Sequence, residues 1–198
     1  TQLIIAEQQP PHLKCIAPFE LNYDDFYERG FYTGGVHHLV WYCLTSGTNP
    51  CRVGLACKNV VPAMSKELSP EELKERVEEA CQNPDLLQYP YLYQVLRYPY
   101  KNPFVFDQLL NPLDGEWWQK RSYGNYLDQV IIPTFVGGPF HGPFGVCQTS
   151  VYNKLTNTPF KKMHLFKDMD PRPWFSHREE LLEWYDYWLK GMENGALD

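Results

Sequence analysis

Much that would announce a function is missing from this 198-residue chain. No serine stands in a G-x-S-x-G turn. The six are Ser46, Ser65, Ser69, Ser122, Ser150 and Ser176, and none has the flanking glycines. That turn, between a strand and a helix, strains a serine into exposure as a nucleophile. Its absence excludes an elbow serine from these residues. No cysteine pair forms C-x-x-C, and the spacings of Cys15, Cys43, Cys51, Cys57, Cys81 and Cys147 fit no zinc module. Their even number permits disulfides, but reduced, mostly buried thiols and a cytoplasmic location are expected. No apolar run approaches the roughly 20 residues of a membrane span, so no membrane partner is expected. The 18 Lys and Arg against 24 Asp and Glu leave a net charge of −6. The basic residues are scattered, with no stripe interleaved with aromatics, which argues against a nucleic-acid partner. No signal peptide is visible, and the first residue is Thr1 rather than Met, which implies a segment upstream of it.

What the chain does have is aromatic residues: 16% of the total, as fourteen Tyr, eleven Phe and six Trp. Such a content suits an aromatic-lined cavity or a large subunit interface. A single domain over residues 1–198 is expected, long enough to bury a substantial core. Residues 1–9 read as the end of a helix stopped by Pro10-Pro11. Residues 13–19 form a short apolar run, read as a buried parallel strand. Residues 22–42 read as a loop with short helical turns. Ser69-Pro70-Glu71-Glu72 opens a helix: Ser69 caps, Pro70 suits the first turn and Glu72 completes a capping box. Leu73, Val77, Ala80 and Cys81 follow at helical spacing, with the end near Asn83-Pro84. Short helices broken by Pro90, Pro99 and Pro103 follow. Residues 130–136 read as a strand, 145–155 as a helix and 162–166 as the final strand. Ser176-His177-Arg178-Glu179 reads as a second capping box. It opens a helix with Leu181, Leu182, Tyr185, Trp188 and Leu189 on one face, closed by Lys190-Gly191.

Three segments point further. They are Pro10-Pro11-His12-Leu13-Lys14-Cys15-Ile16-Ala17-Pro18-Phe19-Glu20, then Ile132-Pro133-Thr134-Phe135-Val136-Gly137-Gly138, then the run from Glu179 to Gly195. In this order they resemble three parts of the cocaine esterase / X-Pro dipeptidyl peptidase (S15-like) family of serine hydrolases. The parts are the stretch after the nucleophile helix, the strand leading to the acidic triad member, and the last hydrolase-domain helix. Glu116-Trp117-Trp118-Gln119-Lys120-Arg121-Ser122 is similar to the family's return from cap to core. The resemblance implies an α/β fold: a truncated α/β-hydrolase core of few parallel strands, with a helical cap insertion at about residues 47–114. About three α/β units are present, where a full sheet of this kind has about eight strands. A short parallel sheet has unpaired edges, so a homodimer or a complementing chain is expected.

The resemblance also places chemistry. Relatives carry an aspartate in a pattern like Gly-Trp-Tyr-Asp-Gly, and Gly138-Pro139-Phe140-His141-Gly142 puts His141 in its place. The family's triad histidine follows the last strand; His164 and His177 are the candidates, and the next loop holds Asp168 and Asp170. His141 with Asp168 or Asp170 would make a reordered acid–base pair at the C-terminal end of a parallel strand, where such folds bind ligands. The alternative is ordinary loop residues left after catalysis decayed. Expected substrate contacts are Asp25, Tyr27, His37, His38, Trp117, Phe140 and His164. Asp24, Asp25 and Glu28 have a DDxxE spacing that on a helix could face one Mg²⁺, but so short a pattern arises readily by chance. No metal and no cofactor are expected. Cys147 could begin a helix as a stabilised thiolate, yet a buried structural thiol is the expectation. Tyr89, Tyr91, Tyr93, Tyr98, Tyr100, Phe104 and Phe106 would line an apolar cavity or join two chains.

Three functions compete. The first is a repurposed, non-triad relative that binds or transforms an apolar small molecule in a cap-covered aromatic pocket, with His141 as acid/base. The second is half of a serine acyl hydrolase for esters or amides, its nucleophile in a missing segment or partner chain. The third is a non-catalytic interaction protein.

Overall fold

The computed structural model describes residues 2–21, 24–38, 68–84, 88, 96–97, 103–141, 145–167 and 176–197. Its principal elements are α1 (Gln2–Glu7), α2 (Pro70–Cys81), α3 (Pro103–Leu110), α4 (Glu116–Gln119), β1 (Thr134–Pro139), α5 (Gly145–Lys154), β2 (Lys161–Phe166) and α6 (Arg178–Lys190). A π-turn spans Phe26–Phe31. The chain divides into two compact units, Thr1–Arg29 with Gln119–Asp198, and Gly30–Trp118. No helix among the described residues is long and apolar enough to cross a membrane.

The first unit is built on parallel strands. β1 pairs with β2 from Thr134↔Lys161 to Pro139↔Phe166. On the other side of β1, Ile16 and Phe19 make parallel bridges to Thr134 and Gly137. The ladder runs Ile16 N–H to Pro133 O (3.0 Å), Phe135 N–H to Ile16 O (3.0 Å), Gly137 N–H to Pro18 O (3.2 Å) and Glu20 N–H to Gly137 O (2.9 Å). The strand expected at 13–19 is therefore present as a bridged edge segment. Pro18 has no N–H to extend it. At its outer edge, the Gln2 carboxamide accepts from Ala17 N–H at 3.0 Å and donates to Ala17 O at 3.2 Å. One side chain thus satisfies both backbone groups that a neighbouring strand would otherwise take.

β1 starts at Thr134, four residues later than the β-branched run suggests. Residues 127–129 form a 3₁₀ turn closed at Val130, Ile131 is exposed, and Pro133 cannot donate to a ladder. The strand instead runs on through Gly137-Gly138. Glycine is required at both by close packing: a Cβ on Gly137 would meet the Phe19 ring, and one on Gly138 the Gln148 side chain.

The two sheet faces are covered differently. Ile16 and Val136 pack with Leu3 and Ala6 of α1, Cys147, Val151 and Leu155 around α5, and Tyr123, Leu127 and Val130. Cys15, Ala17 and Phe135 pack on the other side against Trp184, with Phe19, Phe160, Leu181, Tyr185 and Trp188 around them. The inward stripe of α6 is thus 181, 184, 185 and 188, one face of a 3.6-residue period. This corrects the expected face, since Leu182 and Leu189 are 58% and 59% exposed. The N-terminus of α6 also differs from expectation. His177 is the N-cap, with no side-chain capping bond. The C-terminus is as expected, at Gly191 with φ 71, whose N–H bonds Tyr187 O at 3.0 Å.

The second unit holds α2 and α3. The Ser69–Glu72 capping box is formed, with Ser69 N–H donating to Glu72 Oε2 at 2.9 Å and Glu72 N–H to Ser69 Oγ at 3.3 Å. Leu73 and Ala80, with Val77 and Cys81 beside them, pack on Leu96, Phe106, Leu109 and Leu110. Much of the stretch 47–114 lies outside the described residues, as do the side chains of Tyr89, Tyr91, Tyr93, Tyr98, Tyr100 and Phe104. Phe106 is fully buried in this core.

Candidate active site

The C-terminal ends of β1 and β2 are tied together. Phe140 N–H donates to Phe166 O at 2.7 Å, so the loops after the two strands leave the sheet side by side. Phe140 is 63% exposed, and the exposed His141 imidazole sits edge-on to it with ring centres 5.3 Å apart. Among the described residues His141 has no carboxylate partner. Asp168 and Asp170 lie outside the described residues.

A carboxylate does reach an imidazole nearby in the sheet. His164, facing the aromatic side of β2, places Nδ1 2.6 Å from Glu180 Oε2 in the first turn of α6. Lys162 Nζ stands 3.8 Å from the other carboxylate oxygen. The His177 ring packs edge-on to His164 at 4.9 Å and stacks on Phe166 at 4.5 Å. An open cavity of about 380 Å³ is lined by Ser176, His177, Arg178, Glu179 and Glu180. Sequence reasoning named His164 and His177 but missed Glu180. Nothing local marks one glutamate of the Glu179-Glu180 pair as the partner of a histidine sixteen residues earlier.

Asp25 Oδ1 accepts the Glu28 N–H at 2.9 Å and so caps the π-turn, and Tyr27 is buried. The fully buried Asp24 carboxylate accepts from Ser150 Oγ at 2.7 Å and pairs with Lys154 at 3.1 Å and Arg29 at 3.5 Å. Asp24 and Asp25 thus serve different partners, so the DDxxE spacing does not converge on one ion.

His37, His38 and Trp117 belong to the second unit. His37 Nε2 lies 3.0 Å from Gln108 Oε1, and its ring packs on Tyr32 at 4.9 Å. Burial holds its pKa below the ordinary histidine value, so this imidazole is neutral at neutral pH. Tyr32 Oη donates to Gln108 O at 2.9 Å. Trp117 stands edge-on to the fully buried Trp118, whose indole N–H donates to Asn111 O at 2.8 Å. Cys15, Cys81 and Cys147 form no disulfide. Burial pushes the Cys15 thiol up to about 11, and Cys147 is buried in the core rather than poised as a nucleophile.

Parallel strand segments with helices on both faces make this an α/β protein. The sequence profile of the X-Pro dipeptidyl-peptidase (S15 family) matches residues 1–169. The chain belongs to that family, and the hydrolase type of the α/β fold is what the family match implies. No curated protein and no solved structure gives a match to it.

Proposed function

We propose that the chain works within the hydrolytic chemistry of its family, as the acid–base side of an acyl hydrolase that cleaves esters or amides. Peptides with proline after the first residue are the substrates the family's name suggests. The observation that carries this reading is the Phe140–Phe166 bond, which holds the loops after β1 and β2 together at the sheet's C-terminal end. His141 is the candidate proton carrier there, with Asp168 or Asp170, which follow β2 in the sequence, to orient it. Phe140 offers an apolar wall to the substrate. The nucleophile comes from sequence outside these residues or from a partner chain, because none of the six serines lies in an elbow.

The test uses the complete gene product with whatever chain co-purifies. It is assayed with p-nitrophenyl esters and with Ala-Pro-p-nitroanilide, and labelled with a fluorophosphonate. A labelled elbow serine is expected, together with a loss of about 10²- to 10⁴-fold in kcat/KM for His141→Ala. Failure to label any serine would end the hydrolase reading. It would favour the repurposed relative instead, a reading supported by the departure from the family pattern at Gly138-Pro139-Phe140-His141.

A further inference from the structure

The geometry points to a divalent transition-metal site, of zinc type, formed by His164, His177 and Glu180. The two imidazoles and the carboxylate each offer one ligand atom, and these atoms lie within 4.8 Å of one another. A zinc ion bound at about 2.0–2.2 Å holds its ligands roughly 3.3 Å apart. Closure therefore needs only small side-chain rotations. His164 is carried on a strand and Glu180 on a helix that packs on it, so their positions are set by the core rather than by a loop.

His177 is the telling member. It occupies the N-cap of α6 yet makes no capping bond. Among the described residues its ring nitrogens have no hydrogen-bond partner, while stacking on Phe166 holds the ring edge-on to His164. A buttressed imidazole with unspent nitrogens beside a histidine–carboxylate pair is the donor set of a two-histidine, one-glutamate zinc site. Imidazole ligands select a first-row transition metal over Mg²⁺ or Ca²⁺. Lys162 at 3.8 Å from Glu180 Oε1 holds the second carboxylate oxygen, which leaves Oε2 as a single ligand atom and tempers the affinity for a cation. Three protein ligands leave at least one coordination position open toward the cavity lined by Ser176–Glu180. Binding would replace the His164 Nδ1–Glu180 Oε2 hydrogen bond with bonds to the metal. This inference does not depend on the hydrolase reading.

The experiment is calorimetric titration of the chelator-treated full chain with Zn²⁺, repeated with Co²⁺ while the visible d–d absorption is recorded. One ion per chain is expected, with affinity at least about 30-fold weaker in His177→Ala and in Glu180→Gln. His141→Ala should bind as the wild type does. Among the described residues His177→Ala removes no side-chain hydrogen bond, and Glu180→Gln keeps the side-chain shape, so circular dichroism should show both folded. Equal affinity in wild type and His177→Ala would overturn the assignment, as would an absence of saturable binding in the wild type.

Discussion

The two faces of the sheet solve the same burial problem with different chemistry. The face under α1 and α5 is filled by aliphatic side chains, Leu3, Ile16, Val136, Val151 and Leu155. The face under α6 is filled by rings, Phe135, Phe160, Trp184 and Trp188, and carries ionic groups on the same side of β2. Each face also holds a glutamate, and the contrast between them is instructive. Glu7 is buried beside the aliphatic face, and its Oε1 has no hydrogen-bond partner among the described residues. Burial pushes its pKa up to about 7. Glu180, on the aromatic face, has His164 and Lys162 against its two oxygens. A carboxyl buried with no partner for one of its oxygens favours the protonated form.

The largest effect that could break this comparison is Trp184→Ala. Trp184 is the buried centre of the aromatic face, against Phe135 at 5.5 Å and Trp188 at 5.7 Å. Its truncation should cost about 3–5 kcal/mol in urea unfolding, against about 1–3 kcal/mol for Val151→Ala on the aliphatic face. Equal losses would show that the rings contribute no more than their aliphatic counterparts.

Next comes Asp24→Asn, which leaves Lys154 and Arg29 without their anion. Because Asp24 is fully buried and its partners are about a third exposed, a loss of about 2–4 kcal/mol is expected, smaller than for a wholly buried pair. Thermal melts of Asp24→Asn and Lys154→Met should then differ, with the double variant recovering part of the loss.

Glu7→Gln sharpens the contrast between the glutamates through pH. A carboxyl whose folded pKa lies above its unfolded value stabilises the protein below about 4.5, and that contribution is lost as pH rises through about 7. At pH 8 the variant should exceed the wild type by about 1–3 kcal/mol, and at pH 4 the two should coincide. Superimposable stability curves over that range would mean that Glu7 finds a partner in solution. The smallest effect belongs to the outer side of α6, where Leu182→Ser should change stability by less than about 0.5 kcal/mol. A larger loss there would return the buried stripe to the face first read from the sequence.

How much was legible follows the range of the interactions. Ser69 caps α2 through Glu72, three residues away, so the signal and its structural consequence occupy the same few residues. Gly191 ends α6 for the same reason. Leu73, Val77, Ala80 and Cys81 show the face of α2 because nothing else on that helix competes to be buried. On α6, leucines and aromatics surround the helix. Periodicity alone could not decide between Leu182 and Trp184, and the ring surface of Phe135 and Phe160 settled it. The candidate site divides along the same line. Phe140 and His141 follow directly from the strand that precedes them, whereas the partner of His164 was set by which turn of α6 lies across β2.

By itself, the sequence determined the family, the lack of an elbow serine, the start of α2 and the C-terminal ends of α1, α2 and α6. These rest on local motifs, where propensity and short hydrogen bonds act within a turn or two. Only the tertiary structure decided where β1 begins, why Gly137 and Gly138 cannot carry side chains, and that His164, His177 and Glu180 meet. Those outcomes depend on parallel register and on close approach between elements far apart in the chain, which no window of sequence contains.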